Sequence, residues 1–275
     1  MKTSAPSIKD LIKTHKPEQP IRPVVNWRNA PTYKLSKPFT RKVKKLNPLP
    51  HSFKIKNAQD VMKDLGNTPM LPHHNLASLD ITNLYSNIPV KETKTILTKI
   101  LKQTNCPQLQ QELLRWFYII TKQNYFKHVN QILLQQDGVT MGAPSSDLIA
   151  EIFLQHVEHS YITNLTQKHG IMNYCRYVDD ILIIFDPNHS GIQKILNDFN
   201  FLHSKLRLTA ETEDDCTLNY LEISIRRTLT GLRTAIFRKP TFTDTIILFT
   251  SSHPIQHKYA TVRYLYNRLE SYNLQ

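Results

Sequence analysis

Residues 172–185 have the sequence MNYCRYVDDILIIF, in which two runs of β-branched and aromatic residues flank a pair of aspartates. Runs of this composition favour strands, and a two-residue interval between them favours a hairpin. The sequence therefore predicts strands over residues 172–178 and 181–185, with Asp179 and Asp180 at the tip of the turn. Aspartate is common in turns for conformational reasons alone. Apolar strands on both sides would nevertheless give these carboxylates the rigid support that a metal ligand needs.

A third carboxylate, Asp80, stands near the end of another apolar run, residues 76–81 with the sequence LASLDI. A carboxylate in such a strand is costly to desolvate unless it meets solvent, a hydrogen-bond donor or a cation. If this strand lies beside the hairpin, Asp80 and Asp179 can share hard divalent cations, which prefer oxygen ligands. Two such ions stabilise the attacking and the leaving oxygen of a phosphoryl transfer.

Periodicity and breaker residues predict helices and strands around these two segments. Helices are expected over residues 57–65, from 87–89 to about 102, 107–122, from 145 or 146 to about 168, 191–202, and from about 256 onward. Further strands are expected as a hairpin within 125–135 and over residues 206–211, 218–227 and 232–237. Ten prolines among the first 75 residues predict extended segments and turns there, without long helices. The order of elements between residues 76 and 212 favours an α+β fold with a split βαβ sheet and helices behind it.

The charge distribution indicates an acidic partner. The 275 residues carry a formal net charge of +13, and a hydrophobic content of 40% excludes a disordered chain. Residues 19–59 have ten basic and no acidic residues, residues 60–222 have 13 basic and 18 acidic ones, and residues 223–269 have eight basic residues and one acidic residue. Unless these runs are ordinary solvated surface, an acidic centre between two basic flanks is typical of a metal-dependent enzyme that acts on nucleic acid.

The sequence also bears on the cellular compartment. The three cysteines support neither a disulfide framework nor a zinc site made of cysteines alone. No segment has the composition of a signal peptide or the apolar length of a membrane span. We therefore expect an intracellular protein in a reducing compartment, without a membrane partner.

Three blocks of the sequence resemble those of reverse transcriptases. Residues 80–89, DITNLYSNIP, are similar to the first catalytic block of that family. Residues 138–145, GVTMGAPS, are similar to its template-primer block, and residues 177–180, YVDD, to its second catalytic block. The three blocks occur in the order that the family has.

A further set of blocks resembles one subfamily, the Penelope-like retroelements. These blocks are KTHK at residues 13–16, IRPVVN at 21–26, FRKPT at 237–241 and SHP at 252–254. The resemblance covers about residues 8–270. It implies an RNA-directed DNA polymerase that extends a DNA primer on an RNA template with dNTPs and two Mg²⁺ ions, for which Mn²⁺ can substitute. A nuclear location follows if the element is eukaryotic, and no protein partner is implied.

The resemblance also implies the fold and the domain organisation of a right-hand polymerase. Residues 1–75 would form basic, loop-rich fingers, and residues 76–228 the palm with its catalytic carboxylates. Residues 229–275 would be a basic extension of the palm, similar to a primer grip, without a complete thumb. A chain that begins close to the KTHK block and ends at residue 275 is expected to be a fragment or an ageing copy of an element.

Catalytic and metal-binding roles follow from the same resemblance. It implies that Asp80 and Asp179 are ligands of both metal ions, assisted by the backbone carbonyl of Ile81. Asp180 is a weaker catalytic candidate.

Five further residues are candidates for substrate binding. The resemblance implies that Tyr85 lies beneath the incoming sugar, where its ring would exclude a 2′-hydroxyl, although an ordinary packed tyrosine is the alternative. Arg22 and Lys16 would contact the triphosphate, because the planar fork of arginine binds phosphate oxygens bidentately. Gly142 would let the backbone approach the nascent base pair, or would only form a turn. Pro144 would fix the turn into the following helix.

Two other functions remain open from the sequence. One is a non-catalytic, nucleic-acid-binding remnant that keeps the fold and the basic flanks. The other is a nuclease that uses the same carboxylates, but such an enzyme would need neither Tyr85 nor the triphosphate contacts.

Overall fold

A computed structural model describes residues 4–12, 21–46, 49–50, 53–104, 106–229, 231–240 and 245–271. Within these ranges the chain forms eleven strands and eight α-helices. The strands are β1 (Ile8–Ile12), β2 (Ile21–Val25), β3 (Asn75–Ile81), β4 (Tyr125–His128), β5 (Gln131–Leu134), β6 (Ile171–Tyr177), β7 (Asp180–Phe185), β8 (Leu208–Thr212), β9 (Thr217–Tyr220), β10 (Ile223–Thr228) and β11 (Gly231–Ile236). The helices are α1 (Tyr33–Leu46), α2 (Ala58–Asn67), α3 (Leu84–Asn87), α4 (Val90–Lys102), α5 (Pro107–Lys122), α6 (Ser146–His169), α7 (Ile192–Phe201) and α8 (Ile255–Ser271).

Four strands form the central sheet, in the order β6-β7-β3-β8 with every neighbouring pair antiparallel. β3 and β6 therefore run parallel to each other but are separated by β7, which is the split βαβ arrangement. Helices α4, α5 and α6 lie in the connection from β3 to β6, and α7 connects β7 to β8. The predicted α+β fold with this sheet is confirmed. β3 and β7 are direct neighbours, so the segments that carry Asp80 and Asp179 lie side by side.

Both faces of β7 are buried. Ile181, Ile183 and Phe185 belong to the larger hydrophobic core, which the sheet shares with α4, α5, α6 and α7. Leu182 and Ile184 point into a second core, shared with α2, β9 and β10. A strand that is covered on both faces has a continuous apolar sequence instead of an alternating one. This double burial explains the uninterrupted ILIIF run after the aspartate pair.

Helix α6 passes through the larger core. It has 24 residues, of which 14 are buried, so it is apolar around most of its circumference. Two of its buried residues are the carboxylates Glu151 and Glu158. Among the helices of the described ranges, none combines the length and the apolarity needed to cross a membrane.

The prediction that prolines exclude long helices from the first 75 residues was wrong. Helix α1 has 14 residues and contains Pro38 in its second turn. Proline removes one hydrogen bond, the one to the carbonyl of Lys34, and fixes a φ angle that the helix accepts. The buried side chains Phe39 and Val43 hold the apolar face of α1 in the larger core. Their packing outweighs the lost hydrogen bond.

Two tight turns also differ from the prediction. Residues 218–227, predicted as one strand, belong to β9 and β10, which are joined by a turn of Leu221 and Glu222. The tip of the β6–β7 turn is Val178 and Asp179, and Asp180 is the first residue of β7. In each turn a residue other than glycine has a left-handed backbone, with φ of 54° at Leu221 and 56° at Val178. Sequence signals for tight turns depend on glycine, asparagine and aspartate, so a turn with leucine or valine at this position is hidden.

The β1–β2 hairpin and the residues before it are tied to the loop that precedes α6 and to β4 by backbone hydrogen bonds. The amide of Val25 donates to the carbonyl of Met141 (3.1 Å), and the amide of Lys127 in β4 donates to the carbonyl of Pro6 (2.7 Å). These bonds place β2, which carries Arg22, beside the loop that precedes α6.

We expect Ile183→Ala to lower the free energy of unfolding by about 2–5 kcal/mol, because the side chain is fully buried in the central sheet and its loss leaves a cavity. Ile132→Ala is the matched control, since Ile132 is a strand isoleucine that is 68% exposed. Its effect should stay within about 0.5 kcal/mol. Urea unfolding measures both values, and similar losses for the two variants would contradict the assigned core.

Candidate active site

A cavity of about 700 Å³ opens at the end of β3. Its lining comes from β1, β2 and β4, from the end of β3 and the residues that follow it, from residues within 135–141 before α6, from β8, and from the β6–β7 turn. Five residues singled out from the sequence are among the lining residues: Arg22, Asp80, Ile81, Tyr85 and Asp179. Side chains a hundred positions apart thus share one cavity.

Register explains how the carboxylates meet. In the β3–β7 ladder Asp80 lies directly opposite Asp180. One residue further along, the amide of Ile81 donates to the carbonyl of Asp179 at 2.9 Å. The end of β3 is therefore joined to the turn itself, and both Asp80 and Asp179 line the cavity.

Asp180 was predicted to share the tip of the turn with Asp179, but it is the first residue of β7. Its carbonyl accepts a hydrogen bond from the Tyr220 hydroxyl (2.9 Å). It lines a second cavity, of about 520 Å³, together with Tyr177, Glu222 and Arg268. The adjacent aspartates of the pair consequently contribute to two different cavities.

The oxygen atoms of the larger cavity suit a Mg²⁺ ion that is also bound by water and by substrate phosphates. Within the described ranges, no three side chains of His, Cys, Asp or Glu are grouped so that they would hold a metal ion by themselves. Mg²⁺, however, is commonly bound through one or two carboxylates, with water and substrate phosphates as the other ligands. Asp80, Asp179 and Ile81 all line the larger cavity. Two carboxylates and the Ile81 carbonyl suit such a shared site.

Tyr85 is held in a fixed position. Its hydroxyl donates to Oδ1 of Asp147 at 2.7 Å, and its carbonyl accepts from the amide of Val139 at 2.7 Å. Burial raises the pKa of Tyr85 well above its ordinary value, and the hydrogen bond to Asp147 and the nearby charge of Asp179 raise it further. The residue is therefore a neutral phenol that presents a firmly positioned ring to the cavity.

The loop before α6 needs its glycines for close backbone packing. Gly138 has φ +74°, and an added Cβ would lie 2.3 Å from the Ser86 carbonyl oxygen. Gly142 has φ +105°, and an added Cβ would lie 2.5 Å from the Val25 carbonyl oxygen. The contact with Val25 is a structural reason for glycine at position 142.

The three remaining residues that were predicted to contact substrate differ in their position relative to the cavity. Arg22 is exposed in β2 and reaches the cavity wall. Pro144 stands outside the cavity lining, and its carbonyl accepts from the Thr40 hydroxyl of α1 at 3.2 Å. Lys16 and the rest of the KTHK block lie outside the described residues.

The sequence analysis missed a buried ionic group next to the β6–β7 turn. Arg176 of β6 is 1% exposed and is bound by Glu151 and Glu158 of α6. It also donates to the carbonyl of Val178 at 3.0 Å. Two signals were available, namely an arginine inside an apolar strand and two glutamates seven residues apart on one face of an apolar helix.

Val178 is the strained residue of this site. A β-branched side chain at φ +56° costs about 1–3 kcal/mol, and such a conformation persists only where the surroundings impose it. The Arg176 bond to Val178 and the Ile81 bond to Asp179 hold both turn carbonyls. The position of Asp179 is thus set by contacts from two strands.

The family model described as "Reverse transcriptase (RNA-dependent DNA polymerase)" matches residues 15–213 of this chain. The matched part contains every residue of the larger cavity that comes from β2, β3, β8 and the β6–β7 turn. None of the curated proteins matches the chain by sequence.

Solved polymerase structures are similar in fold at low sequence identity. The telomerase from Candida albicans, in a complex with a TWJ fragment of telomeric RNA, has a TM-score of 0.61 at 10% identity, over 84% of this chain and 46% of that one. The telomerase from Candida tropicalis, also in a complex with such a fragment, has a TM-score of 0.58 at 13% identity, and the match covers 97% of this chain and 50% of that chain. The BmCPV RNA-dependent RNA polymerase at elongation state has a TM-score of 0.52 at 12% identity, and the match covers 80% of this chain and 21% of that chain. The chain spans about half the length of the two telomerase chains.

Gly142→Ala should lower the free energy of unfolding, because alanine tolerates the positive φ poorly and its methyl group would press on Val25. The conformational cost alone is about 1–2 kcal/mol, and the contact with Val25 adds to it. Gly66→Ala is the control. Gly66 lies in α2 with nothing within 4 Å of an added Cβ, so alanine should stabilise the protein by about 0.5–1 kcal/mol. Effects of the same sign in urea unfolding would refute the packing role of Gly142.

Proposed function

Because this chain belongs to the reverse transcriptase (RNA-dependent DNA polymerase) family, we propose that the cavity at the end of β3 is its polymerase site, where a DNA primer is extended on an RNA template. In this reaction the primer 3′ oxygen attacks the α-phosphate of a dNTP, and pyrophosphate leaves. The family is one of nucleotidyltransferase polymerases.

The observation that carries this proposal is the meeting of Asp80 and Asp179 in one cavity with Arg22 and Tyr85. A nuclease would need the carboxylates only. A cavity that also offers a guanidinium for phosphate and a fixed ring suits a nucleoside triphosphate better. Its volume of about 700 Å³ lies in the range of small-molecule sites.

Asp80, Asp179 and the Ile81 carbonyl would hold two Mg²⁺ ions, or Mn²⁺ in their place. When bound, such ions stabilise the attacking and leaving oxygens of phosphoryl transfer. Both aspartates sit on elements that are hydrogen-bonded to each other, so their carboxylates need little rearrangement to serve together. Asp180 lines the neighbouring cavity, and we assign it no ligand position.

Basic side chains would bind the phosphates of substrate and nucleic acid. Arg22 would hold the triphosphate, since its planar fork matches phosphate oxygens. Helix α1 contributes a second basic surface, because it buries its apolar face and exposes a basic one. The exposed basic residues of that face are Lys34, Lys37, Arg41, Lys44 and Lys45. Such a surface favours the phosphate backbone of a template without sequence preference.

We assign the chain to a Penelope-like retroelement on the blocks at residues 13–16, 21–26, 237–241 and 252–254. In this assignment residues 1–75 are fingers, 76–228 the palm, and 229–275 an extension that supports the primer. The protein would then act in the nucleus if the element is eukaryotic.

Primer extension with an RNA template, dNTPs and Mg²⁺ tests the assignment. Asp179→Asn should lower the extension rate at least about 100-fold, since it removes charge that the reaction centre needs. Asp214→Asn is the matched control, because Asp214 is exposed and outside the cavity, and it should leave the rate unchanged. Equal extension by wild type and Asp179→Asn would end the proposal. Salt-sensitive RNA binding without any extension would favour the non-catalytic remnant.

Tyr85→Val should reduce the preference for dNTPs over rNTPs by about tenfold or more, because it removes the ring that would meet a 2′-hydroxyl. Tyr85→Phe keeps the ring and loses only the hydrogen bond to Asp147, so most of the preference should remain. Single-nucleotide incorporation kinetics with dNTP and rNTP pairs measure the ratio. If both variants discriminate like the wild type, Tyr85 is an ordinary packed residue.

A further inference from the structure

The Arg176 side chain uses its whole hydrogen-bonding capacity. Its Nε donates to Glu158 Oε1 (2.6 Å), and its Nη2 donates to Glu158 Oε2 (2.9 Å) and Glu151 Oε1 (2.9 Å). Its Nη1 contacts Glu151 Oε2 (3.4 Å) and donates to the Val178 carbonyl (3.0 Å). Arginine has five N–H groups, and five acceptors surround this one. Four of them fix the guanidinium, and the fifth belongs to the catalytic turn.

The two glutamates are themselves anchored. Glu151 accepts from Lys54 Nζ (2.9 Å) and from Gln155 Nε2 (2.7 Å). Glu158 accepts from the Tyr174 hydroxyl (3.1 Å). Two glutamates, one arginine and one lysine make the group electrically neutral as a whole.

Glu151 stays ionised although it is buried. Burial alone would raise the pKa of Glu151, but Arg176 and the hydrogen bonds from Lys54 and Gln155 lower it to about 2. The guanidinium therefore faces an ionised Glu151 near neutral pH and keeps its orientation.

The backbone around Arg176 is paired on both sides. In the sheet it lies opposite Ile181 of β7. On its other side its amide donates to the Phe53 carbonyl (2.8 Å), and its carbonyl accepts from the Ile55 amide (2.9 Å). Neither the backbone nor the side chain of Arg176 can shift alone, so the bond to Val178 acts as a fixed point for the turn.

We propose that Arg176 is a positioning residue: by holding the Val178 carbonyl, it sets the peptide that joins Val178 to Asp179 and so aims the Asp179 carboxylate at the metal-binding side of the cavity. This role rests on the proposed function of Asp179 as a metal ligand. Arg176 itself touches neither substrate nor metal. The bond matters because Val178 has a strained φ that a free turn would relax.

The test is the metal dependence of Arg176→Lys. Lysine keeps the positive charge but has no planar fork, so it cannot hold both glutamates and the Val178 carbonyl together. We expect the Mn²⁺ concentration for half-saturation of the protein–primer–template complex to rise about 10- to 100-fold, the range seen when a partner that orients a metal ligand is lost. Electron paramagnetic resonance of free Mn²⁺ measures binding without turnover, and primer extension at varied Mg²⁺ gives a second value. Primer–template affinity should stay unchanged.

Arg227→Lys is the matched control. Arg227 also binds a glutamate, Glu213, through both carboxylate oxygens and donates to a backbone carbonyl, that of Pro72 (2.9 Å). Glu213 accepts from the amide of Leu76 near the start of β3, away from the end that carries Asp80. Arg227→Lys should lower the Tm and leave the metal half-saturation at the wild-type value.

A double variant tests the same bond in case Arg176→Lys fails to fold. Arg176→Met combined with Glu158→Met removes one charge of each sign and leaves Glu151 paired with Lys54, so no lone charge is buried. The bond to Val178 is lost, and the metal half-saturation should rise as in Arg176→Lys.

The outcomes separate the two proposals. Variants that fold and bind Mn²⁺ like the wild type, with only a lower Tm, would overturn the positioning role and leave the polymerase assignment intact. A wild type that neither binds Mn²⁺ with primer–template nor extends a primer would overturn both.

Discussion

The antiparallel pairing of β3 with β7 is the constraint on which the site depends. Its register sets Asp80 opposite Asp180 and continues, through the Ile81 amide, to the carbonyl of Asp179. Because side chains alternate between the faces of a sheet, a slip by one residue would exchange the two cores and turn Asp80 away. The register is secured by burial, since β7 has apolar side chains on both faces. The same hydrophobic effect that stabilises the fold therefore assembles the carboxylates.

Buried ion pairs contribute little net stability, because desolvation offsets much of their attraction. The group around Arg176 is thus poorly explained as a stabilising device, although removing a single member would be costly. It is better explained by geometry. Arg176 joins α6, which follows the glycine loop, to the turn that carries Asp179. Helix α6 and the turn that carries Asp179 are held at a fixed distance by directional bonds, which apolar packing alone does not supply.

Much of the fold was predictable from the sequence, since the apolar runs of β3 and β7 and the periodicity of α4 and α5 are strong local signals. The failures have physical causes. Helix α1 tolerates Pro38 because its apolar face packs in the core, and tertiary packing overrides a local breaker. The turn between β9 and β10 was missed, and the tip of the β6–β7 turn lies one residue earlier than predicted, because Leu221 and Val178 adopt conformations typical of glycine. The meeting of Asp80 and Asp179 was predictable from the sequence, but the contacts of Arg176 were not, because they are made with a distant helix.

The valine at position 178 can be understood from the same contacts. Glycine would adopt φ +56° without strain, but it would also allow the turn many other conformations. A β-branched residue has few alternatives, and most of them would break the bonds to Arg176 or to Ile81. The strain is therefore balanced by two hydrogen bonds that act on adjacent peptides. In the proposed metal site, a carboxylate mounted on such a turn would have little freedom before a cation arrives, so little order would have to be imposed on it.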